Sequence, residues 1–286
     1  MPALGLALGL PFRPIGGGVS FTGALDGATT NLSAGWSVAR RLLTSYTGAL
    51  IRVRRSGDNS ESDFSATTNG DLNSASLTAF CVAGGGTQHG YVTKIYAQSG
   101  SVGDLVQATA SLQPQIVNSG SLNTENGKPV AVFDGIDDTM AVTWAGGSIF
   151  SAYLVSKLNT AGTYPMKLNL NEGNVELRGF DTSGQPEVIA GGSPVRRTTS
   201  SVGVLGQYTW QHEYPSGDLA AWLDDVSFGT PQSTVNQSIS IVRLSGRTGS
   251  FLADMDFSEL FLYAAVQGTA ARQAIQSIQK TYFGTA

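Results

Sequence analysis

An all-β sandwich is the fold class this sequence predicts, and three observations carry it. Charged residues are only 13% of the chain, about half the usual share. Their place is taken by Ser, Thr, Asn, Gln and 36 glycines, a composition suited to tight turns rather than long helices. Apolar runs recur at intervals of roughly 8 to 14 residues, separated by Gly, Asn and Pro clusters. The 286 residues, 41% of them hydrophobic, can fill one large core. The net charge of −4 speaks against nucleic acid or an anionic membrane as partner, since both attract basic excess.

Residues 1–18 stand apart. Leu4, Leu6, Leu8 and Leu10 alternate with small residues, the period of a strand. The run is too short for a membrane span and lacks the basic start of a secretory signal. Pro11, Pro14 and Gly16-Gly17-Gly18 end it. We therefore expect an extended anchoring peptide over 1–18 that engages a partner protein, followed by one domain over 19–286.

Trp36, Ala39, Leu43 and Tyr46 fall at helical spacing, so a short N-terminal helix is expected there, with Ser33 as cap and Gly48 as stop. Leu50 to Arg55 follows as a strand, with Ser56 to Asn59 as its turn. Five arginines (40, 41, 52, 54 and 55) crowd this unit and fit a solvated face with ion pairs. Asp58 to Ala75 reads as loop and Leu77 to Val82 as a short apolar element. Val106 to Val117 reads as irregular because of Pro114. Strands are expected at Tyr91–Tyr96, Pro129–Phe133, Met140–Trp144, Ile149–Val155, Met166–Leu170 and Val175–Phe180. More are expected at Gly206–His212, Leu219–Leu223, Ser238–Leu244 and Phe257–Tyr263. A closing helix would start at Thr269, bury Ala271, Ile275, Ile278 and Tyr282, and end near Lys280.

Four segments resemble the catalytic domain of the α-L-arabinofuranosidase B family: RRLLTSYTGALIRVRRSGDN, GDLNSASLTAF, YVTKIYAQSG, and QPQIVNSG with TENGKPVAVFDGIDDTM. The resemblance spans about residues 21–140 and returns faintly near the C-terminus, where FLADMDFSELFLY and the helix after it resemble the end of laminin G-like jelly rolls. It implies a concanavalin A-like jelly-roll sandwich. Similar segments occur in virion proteins of tailed bacteriophages. The resemblance also sets where this chain departs. The family's acid lies in a Gly-Gly-Asp segment, and the counterpart here is Leu244-Ser245-Gly246-Arg247. The family's Tyr-Asp-Gln-Ser-Gly is Tyr96-Ala97-Gln98-Ser99-Gly100. Its vicinal cysteine pair is absent, since Cys81 is the only cysteine. On that alignment the fold is kept and the hydrolytic carboxylates are lost, which leans against an enzyme.

Glycoside hydrolysis needs two carboxyls about 5 to 10 Å apart. Weak candidates are Glu172, in the MKLNLNEGN stretch that would match the family nucleophile, and Asp256, from the acidic run Asp254, Asp256 and Glu259. On a regular strand Glu259 would point away from the other two unless a bulge intervenes. Asp137-Asp138 and Asp224-Asp225 sit at turn signals and Cys81 reads as a buried hydrophobe. His89 and His212 show no zinc spacing, Gly84-Gly85-Gly86 has no phosphate-loop lysine, and no GxSxG elbow occurs. No cofactor is expected; Asp- and Asn-rich loops leave calcium as a candidate ion. The densest aromatic region offers Tyr208, Trp210, His212, Tyr214 and Trp222, either as core or as a sugar-stacking platform.

These readings lead to a phage virion protein, tail-associated, made in the bacterial cytoplasm. Residues 1–18 would attach it to other virion proteins, in many copies, and the jelly roll would bind host-surface glycan by multivalency. The alternatives are an active arabinofuranosidase-like glycoside hydrolase and a purely structural virion component.

Overall fold

The computed structural model describes residues 21–162, 165–171, 175–180, 184–190, 193–196, 200–213, 218–228, 232–233, 237–247 and 250–286. The anchor leucines Leu4, Leu6, Leu8 and Leu10, and with them Glu172 and Tyr214, lie outside the described residues.

The chain folds mainly into antiparallel strands. The first half contributes β1 (Leu32–Ser37), β2 (Ala49–Arg55), β3 (Glu61–Ser65), β4 (Gly90–Ile95), β5 (Gln115–Asn118), β6 (Ala131–Asp134) and β7 (Met140–Thr143). The second contributes β8 (Phe150–Leu158), β9 (Met166–Asn171), β10 (Val175–Phe180), β11 (Gln185–Ala190) and β12 (Ser193–Arg196). Then come β13 (Leu205–His212), β14 (Asp218–Leu223), β15 (Ile241–Leu244) and β16 (Asp254–Tyr263). Helices α1 (Ser74–Ala83) and α2 (Thr269–Phe283) complete the set.

One layer is built on β16, which pairs with β6 through its first half, with β1 through its second and with β8 on its other edge; β13 and β14 continue from β8. The other layer runs β3, β2, β4, then through the short strand Leu105–Val106 to β7, β15, β9, β10, β11 and β12. A single bridge, Val132 to Gln115, ties β6 to β5 and joins the layers. Ile51, Val53, Val92, Met140, Leu168, Leu177, Val242 and Leu244 meet Trp36, Leu154, Trp210, Leu260 and Leu262 in one core. Burial of alternate residues from both layers drives this arrangement.

The expected helix at Trp36–Tyr46 is not formed. Leu32–Ser37 is a strand on the edge of β16, and 38–43 follows without a helix. Residues 33–40 are all buried, so a 3-4-3 spacing of apolar residues carries no period there. The backbone of this segment is held from outside: Gln98 Oε1 accepts from Leu42 N at 2.7 Å and Gln98 Nε2 donates to Arg40 O at 2.9 Å. The N-terminal helix is instead α1, where Asn73 Oδ1 caps Ser76 N and Leu77 and Cys81 face inward. Asp58–Ala75 contains β3 rather than loop alone, and 106–117 holds Ala110–Leu112 as a 3-10 turn before β5.

The closing helix is present, but Gly268 rather than a side chain caps it, and its buried face is Arg272, Ile275, Gln276, Gln279 and Phe283. It lies on the outer side of the β8–β13 layer, where Gln279 meets Gln207 and Ile275 packs near Tyr153 and Phe261. Gly284, at φ 64°, ends it in the left-handed conformation glycine favours.

Candidate functional site

The two stretches that the resemblance singles out are 166–174 and 244–247, and β9 of the first pairs with β15, which leads into the second. On β10, Val175 and Leu177 enter the core, so Glu176 and Arg178 point to the opposite face of the sheet. Glu176 and Glu187, on neighbouring β11, are both fully buried on that face. Arg178 joins them: its Nη1 donates to Glu176 Oε2 at 3.1 Å and its Nε to Glu187 Oε2 at 2.7 Å. Arg247 reaches back from the β15–β16 connection and gives Glu176 Oε1 two hydrogen bonds, from Nη2 at 2.6 Å and Nε at 2.9 Å. Register sets Asn169 of β9 directly opposite Glu176, with Arg243 of β15 on its other side.

The connection that delivers Arg247 is conformationally costly. Ser245 (φ 60°) and Phe251 (φ 56°) occupy the left-handed region without being glycine, a local strain of order 1–3 kcal/mol each. The Arg247 guanidinium lies 5.2 Å from the Phe251 ring centre, and its side chain is 32% exposed while Glu176 is sealed beneath it.

Sequence reasoning offered Glu172 as a weak match for the family nucleophile, a position that lies outside the described residues. The carboxylate that meets Arg247 is Glu176, four residues on, and the signal for it was the apolar–charged alternation Val175-Glu176-Leu177-Arg178.

The other sequence-predicted positions resolve differently. Asp256 is buried beside Lys157 (3.3 Å) and accepts from Asn159 Nδ2 at 2.9 Å, while Lys157 also pairs with Glu125. Burial is the main cause that raises its pKa. Asp254 binds the same asparagine, and a register shift opposite Val155/Ser156 brings Glu259 to their face. Glu259 is fully buried and clamped by Arg40 through Nε at 2.9 Å and Nη2 at 2.8 Å. Within the acidic run Asp256 and Glu259 are therefore ion-paired and Asp254 is hydrogen-bonded to Asn159 and Thr160.

The aromatic platform is a correction too. Tyr208, Trp210 and His212 lie in the core, with His212 stacked on Phe150 and its Nδ1 2.6 Å from Ser148 O. Trp222 is half-buried under the Arg272 guanidinium, 4.1 Å from its ring. A ring covered on its face offers no stacking surface to a sugar.

A second concave region lies between the Ala110–Gln113 turn and the loop after β6. It is a cavity of about 600 Å³ lined by Arg54, Tyr91, Gln113, Gln115, Asp134 and Asp138. Asp134, Asp137 and Asp138 can bring carboxylate oxygens within 4.8 Å of one another. They form a self-capped turn: Asp134 Oδ1 accepts from the amides of Ile136 and Asp137, and Asp138 Oδ2 from that of Asp134. Burial, then the charge of Asp134, pushes Asp138 up to about 7. Among the described residues this is the acidic trio with a geometry that could hold a cation.

The comparisons with known proteins place the sandwich among arabinofuranosidase-like folds. Residues 25–154 match the family model of the α-L-arabinofuranosidase B catalytic domain. The structure superposes on an arabinofuranosidase complexed with arabinofuranosyl-α-1,2-xylobiose at a TM-score of 0.64 and 15% identity. It matches a GH54 α-L-arabinofuranosidase soaked with a cyclic sulfate inhibitor at 0.62 and 15% identity. A glutamate-to-glutamine variant of such an enzyme, soaked with 4-nitrophenyl α-L-arabinofuranoside, matches at 0.62 and 16%. Each match covers 89% of this chain and 63% of the solved one, so the chain spans less than two thirds of those proteins. No curated protein matches in sequence. These findings overturn the reading as a phage tail protein binding host glycan: the family and the fold matched are those of arabinofuranosidases, which favours the hydrolase alternative.

Proposed function

We propose that this chain is an arabinofuranosidase-like glycoside hydrolase, with Glu176 as the carboxylate that attacks the sugar. The observation that carries the reading is a pair of fully buried glutamates, Glu176 and Glu187, held by one guanidinium on the face of the sheet turned away from the core. Both carboxylates bind one guanidinium, which sets them side by side as the paired carboxyls of glycosidases are. The family match over 25–154 supports the substrate class.

In this account Arg178 keeps Glu176 Oε2 fixed, so Oε1 is the reacting oxygen. Arg247 covers Oε1 in the free protein and, being partly exposed, is the side chain that must yield when a furanoside enters. Attack by Oε1 on the anomeric carbon forms the glycosyl–enzyme ester as the bond to the leaving oxygen breaks. Glu187, which must carry a proton when the sugar binds, gives it to that oxygen and afterwards takes one from the incoming water as that water opens the ester. The missing acid at position 247 is thereby replaced by a carboxylate on the neighbouring strand.

The test separates the two roles by leaving group. An aryl furanoside such as 4-nitrophenyl α-L-arabinofuranoside departs without protonation, whereas an arabinofuranosyl oligosaccharide needs it. Glu176→Gln is expected to lower turnover of both by at least about a thousandfold. Glu187→Gln is expected to spare the aryl substrate to within about tenfold and to lower the oligosaccharide rate by roughly 10² to 10⁴. Equal losses on both substrates for Glu187→Gln would remove it as the proton donor. Full activity of Glu176→Gln would end the proposal.

A further inference from the structure

The register of the second layer puts one residue from each of eight successive strands on a single line that reaches Glu176. From the far edge it runs Asp63, Arg52, Lys94, Val106, Ala141, Arg243, Asn169 and Glu176. Every chain neighbour of this line that enters the core does so on the other side: Val53, Ile95, Leu105, Met140, Val242, Leu168 and Leu177 are all core residues. The line therefore lies wholly on the outer face.

Access along it is graded. Arg52 is 41% exposed at its side chain and Val106 46% as a residue. Ala141 and Arg243 are half-buried, and Asn169 and Glu176 are fully buried. The floor between the charged ends is made of small side chains, Val106 and Ala141. At the open end, Arg52, Glu61, Thr93, Lys94 and Gln107 line a hollow of about 320 Å³. From Lys94 to Glu176 is five strand spacings, roughly 24 Å at about 4.8 Å each. The open end carries hydroxyl-binding groups: guanidinium, ammonium, carboxylate, hydroxyl and amide. Arg52 and Lys94 are held by the exposed acids Glu61 and Asp63 and the half-buried Asp104, so the hollow has no excess of one sign to favour a charged ligand.

We infer that this line is a trough for the glycan main chain that carries the furanoside: the branch is held at Glu176 and the uncharged, hydroxyl-rich chain lies outward over Ala141 and Val106 to the Arg52–Lys94 hollow. The inference rests on the hydrolase reading of Glu176 and adds where the rest of the substrate goes. It makes affinity a function of chain length, because a short aglycone ends before the hollow and a long one fills it.

The test compares arabinofuranosyl-xylobiose with an arabinofuranosyl-substituted xylohexaose, by kcat/KM and by calorimetric Kd on the Glu176→Gln protein. The expected long-to-short ratio is about tenfold or more in wild type and falls below about threefold in Arg52→Ala/Lys94→Ala. Val106→Trp, which blocks the floor without touching either charge, is expected to do the same and guards against a folding defect in the double variant. A ratio near one in wild type, or a tenfold ratio kept in both variants, overturns the trough while leaving the hydrolase intact. If neither oligosaccharide is bound or cleaved and the aryl furanoside is untouched, the reading of Glu176 falls and the trough with it.

Discussion

Single residues differ here in whether their neighbours were visible in the sequence. Glu176 was not among the residues the sequence singled out, because a strand presents a side chain to one face or the other, and only register says what stands opposite. Asp138 and Lys167 show a second kind of hidden context, with consequences for pH. Asp138 is pushed up to about 7 by burial and then by Asp134. Its folded form resists ionisation, so it costs stability progressively as pH rises from about 4 to 7, and the cost persists above 7. Asp138→Asn is therefore expected to raise the melting temperature at pH 8, by roughly 1–3 kcal/mol of stability after allowance for solvent screening, and to change little at pH 3.5. A thermal melt at the two pH values checks this; equal shifts at both would contradict it.

Lys167 is the opposite case. It is fully buried, with Nζ 2.7 Å from Tyr208 Oη, which itself donates to Ser201 Oγ. Burial lowers it to about 7. Its unfolded form takes up a proton more readily, so stability falls as pH drops from about 10.5 to 7 and the full cost is present below 7. Lys167→Met is expected to flatten that slope and to stabilise the protein at pH 6 by on the order of a few kcal/mol. Denaturant titrations at pH 6 and 9.5 would show it, and a slope unchanged by the substitution would refute it. Nothing in MKLNLN announces a buried lysine; the sequence reads it as one more polar residue on a strand.

Among the elements, β13 explains why the aromatic platform failed. An alternating strand normally buries one face, and Tyr208, Trp210 and His212 could then have been either face. Here α2 covers the outer face as well, burying Gln207, Thr209 and Gln211, so no aromatic on this strand is free whichever parity it has. The helix itself was legible from its apolar period and from Lys280 near its end. Apart from Ile275 its buried face was not, because Arg272 bonds Gln276 and Gln279 bonds the sheet at Gln207 and Tyr153 O, and polarity then says nothing about burial. Arg40 and Glu259 link the irregular 38–43 segment to β16 with Glu259 fully buried. Arg40→Met would strand that carboxylate, and we expect a loss of about 3–5 kcal/mol. Chemical denaturation measures it; a loss below about 1 kcal/mol would show that the pair is not structural.

For the molecule as a whole, the sandwich was legible because it rests on composition and on strand spacing, both of which are local. Most expected strands from Leu50 to Tyr263 reappear within a few residues. The resemblance over Arg40–Met140 marked the part of the chain that builds the scaffold: Gln98, within its YAQSG segment, staples residues 40 and 42, and Gly100, at φ 83°, lies so close to Ser33 O that a Cβ would clash. The site lies beyond that stretch, on β9, β10, β11 and the β15–β16 connection. Its residues are drawn together from across some 80 positions, so no local pattern could announce them.

Covalent trapping of the nucleophile tests the central claim most directly. A cyclic sulfate of arabinofuranose carries an electrophilic ring that an attacking carboxylate opens to a stable ester. Incubated with the protein and followed by intact-mass and peptide mass spectrometry, it should add one ring-opened unit that retains its sulfate, on the peptide bearing Glu176, and add none to Glu176→Gln. No adduct, or an adduct on the Asp134–Asp138 turn instead, would contradict the account.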